Sequence, residues 1–379
     1  MTARHARKFL ALVGVAAASA CGFSHEMERA LVPPGGQCPA TSAGRTDALP
    51  DTTVIRWYRA AQDRDIRLSS DWCSVVGSPA VDLRPVPDFP RWEQENGLDV
   101  VTWNMEVGGG DLLAFLDAEL GLECSGARPR MRAGSNPFVL LLQEAWRRDS
   151  GLPRIEGGRN VPWTIDPDAA AGRPDVVQIA EECGLSYLYI PSARNGTDRG
   201  SRPSEDMGAA VLASVPLSTP VAIELPHEAG RKVGVAATVL SPVGARVRVA
   251  TAHFDVASTL IRTILSGNQT RARQADGFID GLDAAERDGP LTGILVVGGD
   301  FNTWSSTETA IDLMRDAFPD SPPWDGEATR GSFPADHMFF RRRSFVNFSI
   351  DGYRRIENAH GSDHHARRLT VRYGADPTN

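Results

Sequence analysis

The chain has 379 residues, 41% hydrophobic and 23% charged, with a formal net charge of −8. This is ordinary globular composition, enough for one large core or two smaller ones. The acidic balance argues against a basic face that grips nucleic acid by charge alone, yet leaves room for an enzyme that meets phosphates through a metal and a local patch. With 26 prolines and 36 glycines, many turns and long loops are expected.

The chain opens with Arg4, His5, Arg7 and Lys8, followed by an apolar stretch from Phe9 to Ala20. That is the layout of an export signal, too short to span a bilayer comfortably. Ala18-Ser19-Ala20-Cys21 resembles a bacterial lipobox. The expectation is an exported protein anchored to the cell envelope through lipid on Cys21, with an ordinary cleaved signal and a periplasmic or secreted product as the alternative. With Cys21 set aside, Cys38, Cys73, Cys124 and Cys183 remain. Pairing of chain neighbours, Cys38–Cys73 and Cys124–Cys183, is expected in an oxidising compartment, although sequence does not fix connectivity. No Cys pair has a zinc-type spacing.

Residues 22–96 are rich in turns and proline and carry one short helical candidate at about 56–63. They read as an N-terminal extension packed on a main domain over 97–374. From Leu98 the pattern becomes strands with helices interspersed. "LDVVTWNM" (98–105) reads as a strand, and Asp111 caps a helix through Leu120. "PFVLLLQEAW" (137–146) is continuously apolar, so a strand covered on both faces. A helix is expected over Val176–Glu182, and extended chain at Tyr187–Ile190, 207–214, 234–241 and 245–255. An amphipathic helix over Arg271–Arg287 precedes strands in "GILVVGGDFNTW" (293–304), "ADHMFFRR" (335–342) and "LTVRY" (369–373). This order predicts sheets packed on each other and covered by helices.

The apolar segments end in, or open on, polar groups. Asn104 closes the first, Gln143-Glu144 the second, His253 and Asp255 the third, Asp300 and Asn302 the fourth. Asp336-His337 opens the fifth, and Ser362-Asp363-His364-His365 precedes the last. Residues two apart on a strand share a face, so His253 with Asp255, and Asp300 with Asn302, are expected to point together. Clustered carboxylates repel and resist desolvation, and a hard divalent cation relieves both effects. The oxygen-rich set favours Mg²⁺ or Mn²⁺ over Zn²⁺. Singly, each motif is more often a turn, a cap or a solvated strand end than a site.

In this order the motifs resemble the endonuclease/exonuclease/phosphatase superfamily, the fold shared by pancreatic-type deoxyribonuclease, abasic-site endonucleases, bacterial sphingomyelinases and inositol-polyphosphate 5-phosphatases. The resemblance rests on "TWNM", "LLQEAW", "GAAVLAS", "TAHFD", "GGDFNTW", "ADHMFF" and "GSDHH". It implies a four-layer α/β sandwich, two face-to-face β-sheets flanked by helices, with the site at one end. By position it implies Glu144 as principal metal ligand, with Asn104 and Asp363 beside the metal or its water. Asp300 and Asn302 would hold the nucleophilic water and the scissile phosphate. His364, oriented by Asp336, would act as acid or base, and His253 as a second histidine with Asp206 as acidic partner. Arg231 would bind phosphate.

The implied enzyme is a Mg²⁺-dependent phosphoester hydrolase, foremost a nuclease-type phosphodiesterase acting on DNA or nucleotides. A phosphomonoesterase or sphingomyelinase-type activity, or a non-catalytic envelope lipoprotein, are the alternatives. A monomer is expected, touching the membrane only through its N-terminal lipid. Arg194, Arg199 and Arg202 (loop 192–206) and the arginines of "FFRRRSF" (339–345) are candidate phosphate grips. No exposed aromatic hairpin suited to a membrane is expected.

Overall fold

The computed structural model describes residues 27–33, 53–60, 75–85, 97–148, 173–195, 205–256 and 268–373, less the short gaps 126–127, 227–229, 242–243 and 344–346, and a few isolated positions such as Cys38, Cys73 and Trp92. The expected export signal, Cys21, Arg199 and Arg202 lie outside the described residues.

Sixteen strands are described. The first eight are β1 (Met27–Val32), β2 (Ile55–Ala60), β3 (Ala80–Asp82), β4 (Leu98–Asn104), β5 (Leu122–Glu123), β6 (Arg130–Met131), β7 (Phe138–Arg148) and β8 (Ser186–Asn195). Then follow β9 (Glu205–Ala213), β10 (Leu217–Glu224), β11 (Val233–Leu240), β12 (Arg246–His253), β13 (Ile294–Asp300), β14 (Asp336–Arg342), β15 (Phe348–Arg355) and β16 (Arg367–Tyr373). The described α-helices are α1 (Leu112–Leu120), α2 (Val176–Glu182), α3 (Asn268–Arg287) and α4 (Thr309–Ala317). One seven-stranded sheet has the order β1-β2-β10-β11-β12-β13-β14, the other β15-β16-β4-β7-β9-β8-β3.

The unbroken apolar runs follow from the layering. In β13, Ile294 and Val296 enter the core between the sheets, while Leu295 and Val297 pack outward against α3 and α4. In β7, Val139 and Leu141 face inward, and Leu140 and Leu142 meet α1 and α2 on the far side. Each strand is covered on both faces, so it has no polar face to alternate. The result is helices, sheet, sheet, helices: the four-layer α/β sandwich. The two sheets come so close at β13 that a Cβ on Gly298 would stand 2.7 Å from Cβ of Thr102. Asp111 caps α1, its Oδ1 accepting from the Ala114 N–H at 3.0 Å.

The segment 22–96 supplies edge strands to both sheets. β2 runs parallel to β10 and antiparallel to β1, and β3 pairs with β8. The helix expected at 56–63 is corrected: residues 55–60 are β2. Ile55 and Trp57 enter the inter-sheet core and Tyr58 packs on the opposite side, a two-residue period of β-branched and aromatic side chains. Both expected cystines, Cys38–Cys73 and Cys124–Cys183, are present. No described helix is long and apolar enough to cross a membrane.

Candidate active site

The site lies where the seam between the sheets opens. Along each inner face the apolar ladder gives way to polar groups at the same end. β4 passes from Val100 to Thr102 and Asn104, β12 from Val249 to Thr251 and His253, and β13 from Val296 to Gly298 and Asp300. β14 enters with Asp336 before Met338 and Phe340. His253 pairs in register with Asp300, and Asp300 with Asp336. Beneath them Gln143 spans both sheets, its Nε2 donating to Thr102 Oγ1 (2.9 Å) and Thr251 Oγ1 (2.7 Å).

Asp300 is the hub. Its Oδ2 accepts from Asn104 Nδ2 (2.9 Å) and lies 3.5 Å from His253 Nε2 and 3.7 Å from His364 Nε2. Its Oδ1 accepts the Asn302 N–H at 2.9 Å, and Asn302 Nδ2 donates to the Phe254 carbonyl at 2.8 Å. Burial raises the Asp300 pKa, His364 and Asn104 oppose, Asp336 adds, and the balance is about 6.

The two histidines beside it are held in different states. His364 Nδ1 lies 2.7 Å from Asp336 Oδ2. Burial alone would lower its pKa, but the charges of Asp336 and Asp300 and the hydrogen bond to Asp336 raise it to about 10. It is an imidazolium at neutral pH. His253 is driven well below its ordinary value, first by burial and then by Lys232, His364 and Arg330. Lys232 Nζ sits 3.3 Å from His253 Nδ1. An ammonium can only donate, so Nδ1 accepts and the ring proton resides on Nε2, facing Asp300.

Backbone strain gathers here. Among the described non-glycine residues with positive φ, Glu106 (48°), Val107 (49°), Glu144 (49°) and Asn302 (50°) border the site. Glu144 is the extra residue of a β-bulge, where the β7–β9 register shifts between Leu142 and Ala145. The bulge lets Gln143 and Glu144 both turn toward the seam. The left-handed turn at Glu106 brings its carboxylate to the Asp363 N–H at 2.8 Å.

Two acidic groups compete as a metal centre. Asp300, Asp336 and His364 have ligand atoms within 4.8 Å of one another. His364, cationic and bound to Asp336, offers that set no free nitrogen ligand. Glu144, Glu106 and Asp363 form a second group, coupled electrostatically. Burial raises Glu144, with Asp363 adding and Lys232 and His364 opposing; burial, Asp363 and Glu144 raise Glu106. Carboxylates that raise one another beside an amide, Asn104, suit a hard divalent cation.

Several expected roles are corrected. Arg231 is buried away from the site, bidentate to Glu224 and donating to the Pro191 carbonyl at 3.1 Å. Glu224 also accepts from Trp57 Nε1 at 3.1 Å, so this cluster fastens β2 to the sheet. Asp206 does not partner His253. It lies on the outward face of β9, bound to Arg147 (2.6 Å) and Tyr189 (2.7 Å). Asp255 follows the end of β12 instead of continuing it, and accepts from Gln274 Nε2 of α3 at 2.9 Å. Arg341, Arg342 and Arg343 lie at the far end of β14, about 20 Å from Asp336 at strand rise, paired with Asp283, Asp320 and Glu286. Arg194 is buried in β8. The structure adds Lys232, Glu106 and Arg330, the last 2.8 Å from Asp363 Oδ2.

Residues 101–364 match the model of the Endonuclease/Exonuclease/phosphatase family. A comparison with curated proteins returns no match. Similar solved structures include the human Nocturnin catalytic domain with bound sulfate, at 14% identity over 73% of this chain and 95% of that one (TM-score 0.47). Another is an endonuclease/exonuclease/phosphatase from Beutenbergia cavernae, at 15% over 75% of this chain and 73% of that one (TM-score 0.48). A beta toxin variant from Staphylococcus aureus with bound magnesium ions matches at 15% over 73% of this chain and 99% of that one (TM-score 0.43). With the family match spanning most of the chain, this protein belongs to the endonuclease/exonuclease/phosphatase family and is a phosphoester hydrolase.

Proposed function

We propose that the chain is a nuclease-type phosphodiesterase that uses Mg²⁺, with Mn²⁺ as a substitute. The observation that carries the reading is the hub at Asp300, flanked by one cationic and one neutral histidine. Five carboxylates (Glu106, Glu144, Asp300, Asp336, Asp363) meet three cations (His364, Lys232, Arg330). One divalent cation held by Glu144, Glu106 and Asp363, with Asn104 beside it, would balance that excess and supply Lewis acidity at a phosphoryl oxygen. Such a balance suits the single charge of a diester better than the double charge of a monoester.

The residues divide the work. Asp300, fixed by Asn104 and the Asn302 N–H, accepts the proton of the attacking water. His364 donates a charged hydrogen bond to the phosphoryl group and can protonate the leaving oxygen, Asp336 keeping it cationic. His253 adds a neutral Nε2–H donor. Groups of this kind contribute about 10²–10⁴-fold each. The basic-then-apolar first twenty-one residues and the two cystines support export from the cytoplasm, with lipid on Cys21 as anchor.

The reading is tested by assaying plasmid DNA, bis-p-nitrophenyl phosphate, sphingomyelin and inositol phosphates side by side with Mg²⁺. Hydrolysis of the first two is expected. Turnover confined to inositol phosphates or to sphingomyelin would replace it with a phosphatase or sphingomyelinase assignment.

A further inference from the structure

We propose that Trp304 and Phe333 form a stacking platform for a nucleobase adjoining the scissile phosphate, which would make the substrate a nucleic acid or nucleotide; this rests on the phosphodiesterase reading above. Both rings are exposed, 37% and 45%, with centroids 5.2 Å apart and planes inclined at 31°. The other exposed large hydrophobic side chains among the described residues, Leu240, Val256 and Leu291, are aliphatic. A paired, solvent-facing aromatic surface beside a site is a binding feature until covered.

The sheet places this pair at the site. Asp300 and Asp336 are register partners at one end of β13 and β14. Trp304 follows Asp300 by four residues and Phe333 precedes Asp336 by three, so their Cα atoms lie within about 14 Å and 11 Å of the Cα atoms of Asp300 and Asp336. Phe333 sits on a tight turn, its N–H donating to the Arg330 carbonyl at 2.8 Å. Arg330 bridges to His364 through the backbone and pairs with Asp363 through its guanidinium. On the other side the Trp304 N–H donates to Glu308 Oε1 at 2.6 Å, and Arg271 holds Glu308 at 2.6 Å. Both rings are therefore presented on braced backbone, which reduces the ordering cost of binding.

The surrounding charge selects the occupant. The carboxylate nearest Trp304 is taken by Arg271, and the turn under Phe333 carries a guanidinium. Each carboxylate beside the rings is thus paired, Glu308 with Arg271 and Asp363 with Arg330, so neither is left over to hold a quaternary ammonium headgroup. A nucleobase needs only a π-face, and its phosphate is drawn by Arg330. Stacking of one base on such a surface is worth about 10- to 100-fold in binding.

The experiment compares kcat/KM for the p-nitrophenyl ester of thymidine 5′-phosphate with that for methyl p-nitrophenyl phosphate, which share the scissile bond and leaving group. A wild-type preference of at least about 10-fold for the thymidine ester is expected, falling toward one in Trp304→Ala and Phe333→Ala and largely kept in Trp304→Phe. The ratio is internal, so a general loss of folded enzyme does not mimic the effect. A wild-type ratio near one, or a ratio untouched by both alanine variants, would overturn the platform while leaving the phosphodiesterase reading standing. Hydrolysis of neither ester would remove that reading, and the platform with it. A blue shift of tryptophan fluorescence on sphingomyelin vesicles, abolished in Trp304→Phe, would reassign the rings to a membrane and overturn the proposal.

Discussion

His364 Nδ1 and Asp336 Oδ2 stand 2.7 Å apart, both side chains about 1% exposed, with His364 Nε2 left facing Asp300. The charge of Asp336, more than the hydrogen bond itself, keeps the imidazole cationic. Asp336→Asn preserves the shape and removes that charge. We expect kcat/KM to fall by about 10²–10³-fold, with folding intact by circular dichroism. An unchanged rate would remove Asp336 from the mechanism.

The pH profile follows from the same pair. Asp300 must be ionised to accept a proton, so activity rises as pH passes through about 6. His364 must be protonated to donate, so activity declines as pH passes through about 10. The expected kcat/KM profile is a bell whose macroscopic limits belong to the coupled pair. Stability carries the same sign for His364: its contribution is complete below an unfolded value near 6.5 and is lost as pH rises through about 10. In His364→Ala the alkaline loss of Tm should flatten; a slope equal to wild type would contradict this.

On the proposed mechanism, Asp300 is a group the fold tolerates for chemistry. Its raised pKa means that ionisation opposes folding, a penalty absent below about pH 4 and complete above about 6. Asp300→Asn should therefore be inactive yet more stable than wild type at pH 8 with EDTA present, and no more stable at pH 3.5. Denaturant titrations at the two pH values check this, and equal or lower stability at pH 8 would contradict it.

Much of this was legible in the sequence because strand ends keep a two-residue parity. Asn104, His253, Asp300 and Asp336 all fall on the inner parity of their strands and meet as expected. Parity fails where strands stop: Asp255 lies beyond β12 and turns to α3. Glu144 reaches the seam through a bulge, which a linear pattern does not display. Of two adjacent basic residues, Arg231 and Lys232, the sequence offered no means to see that Lys232 reaches His253 and Arg231 reaches Glu224. Glu106 was hidden because its role depends on a left-handed turn that a glutamate seldom adopts. The strand at 55–60 was missed because its arginines mask the alternation of Ile55 and Trp57.

The N-terminal segment is structural on this account. Removing residues 22–96 would delete β1, β2 and β3, bare a sheet edge at β10 and β8, and leave the Glu224–Arg231 cluster without Trp57. Exposed edges of this kind pair with other chains. A fragment of 97–374 should be aggregation-prone or less stable than the longer chain, read by size exclusion and thermal melting. A soluble fragment with an unchanged Tm would contradict the integration of these strands.

The most direct test of the central claim is nicking of plasmid DNA by wild type and by Asp300→Ala, each assayed with Mg²⁺ and with EDTA. Wild type should cleave only with the metal, and Asp300→Ala should lose at least about 10³-fold while keeping its fold. Equal cleavage in EDTA, or an Asp300→Ala protein as active as wild type, would show that the hub at the end of β13 does not perform the chemistry.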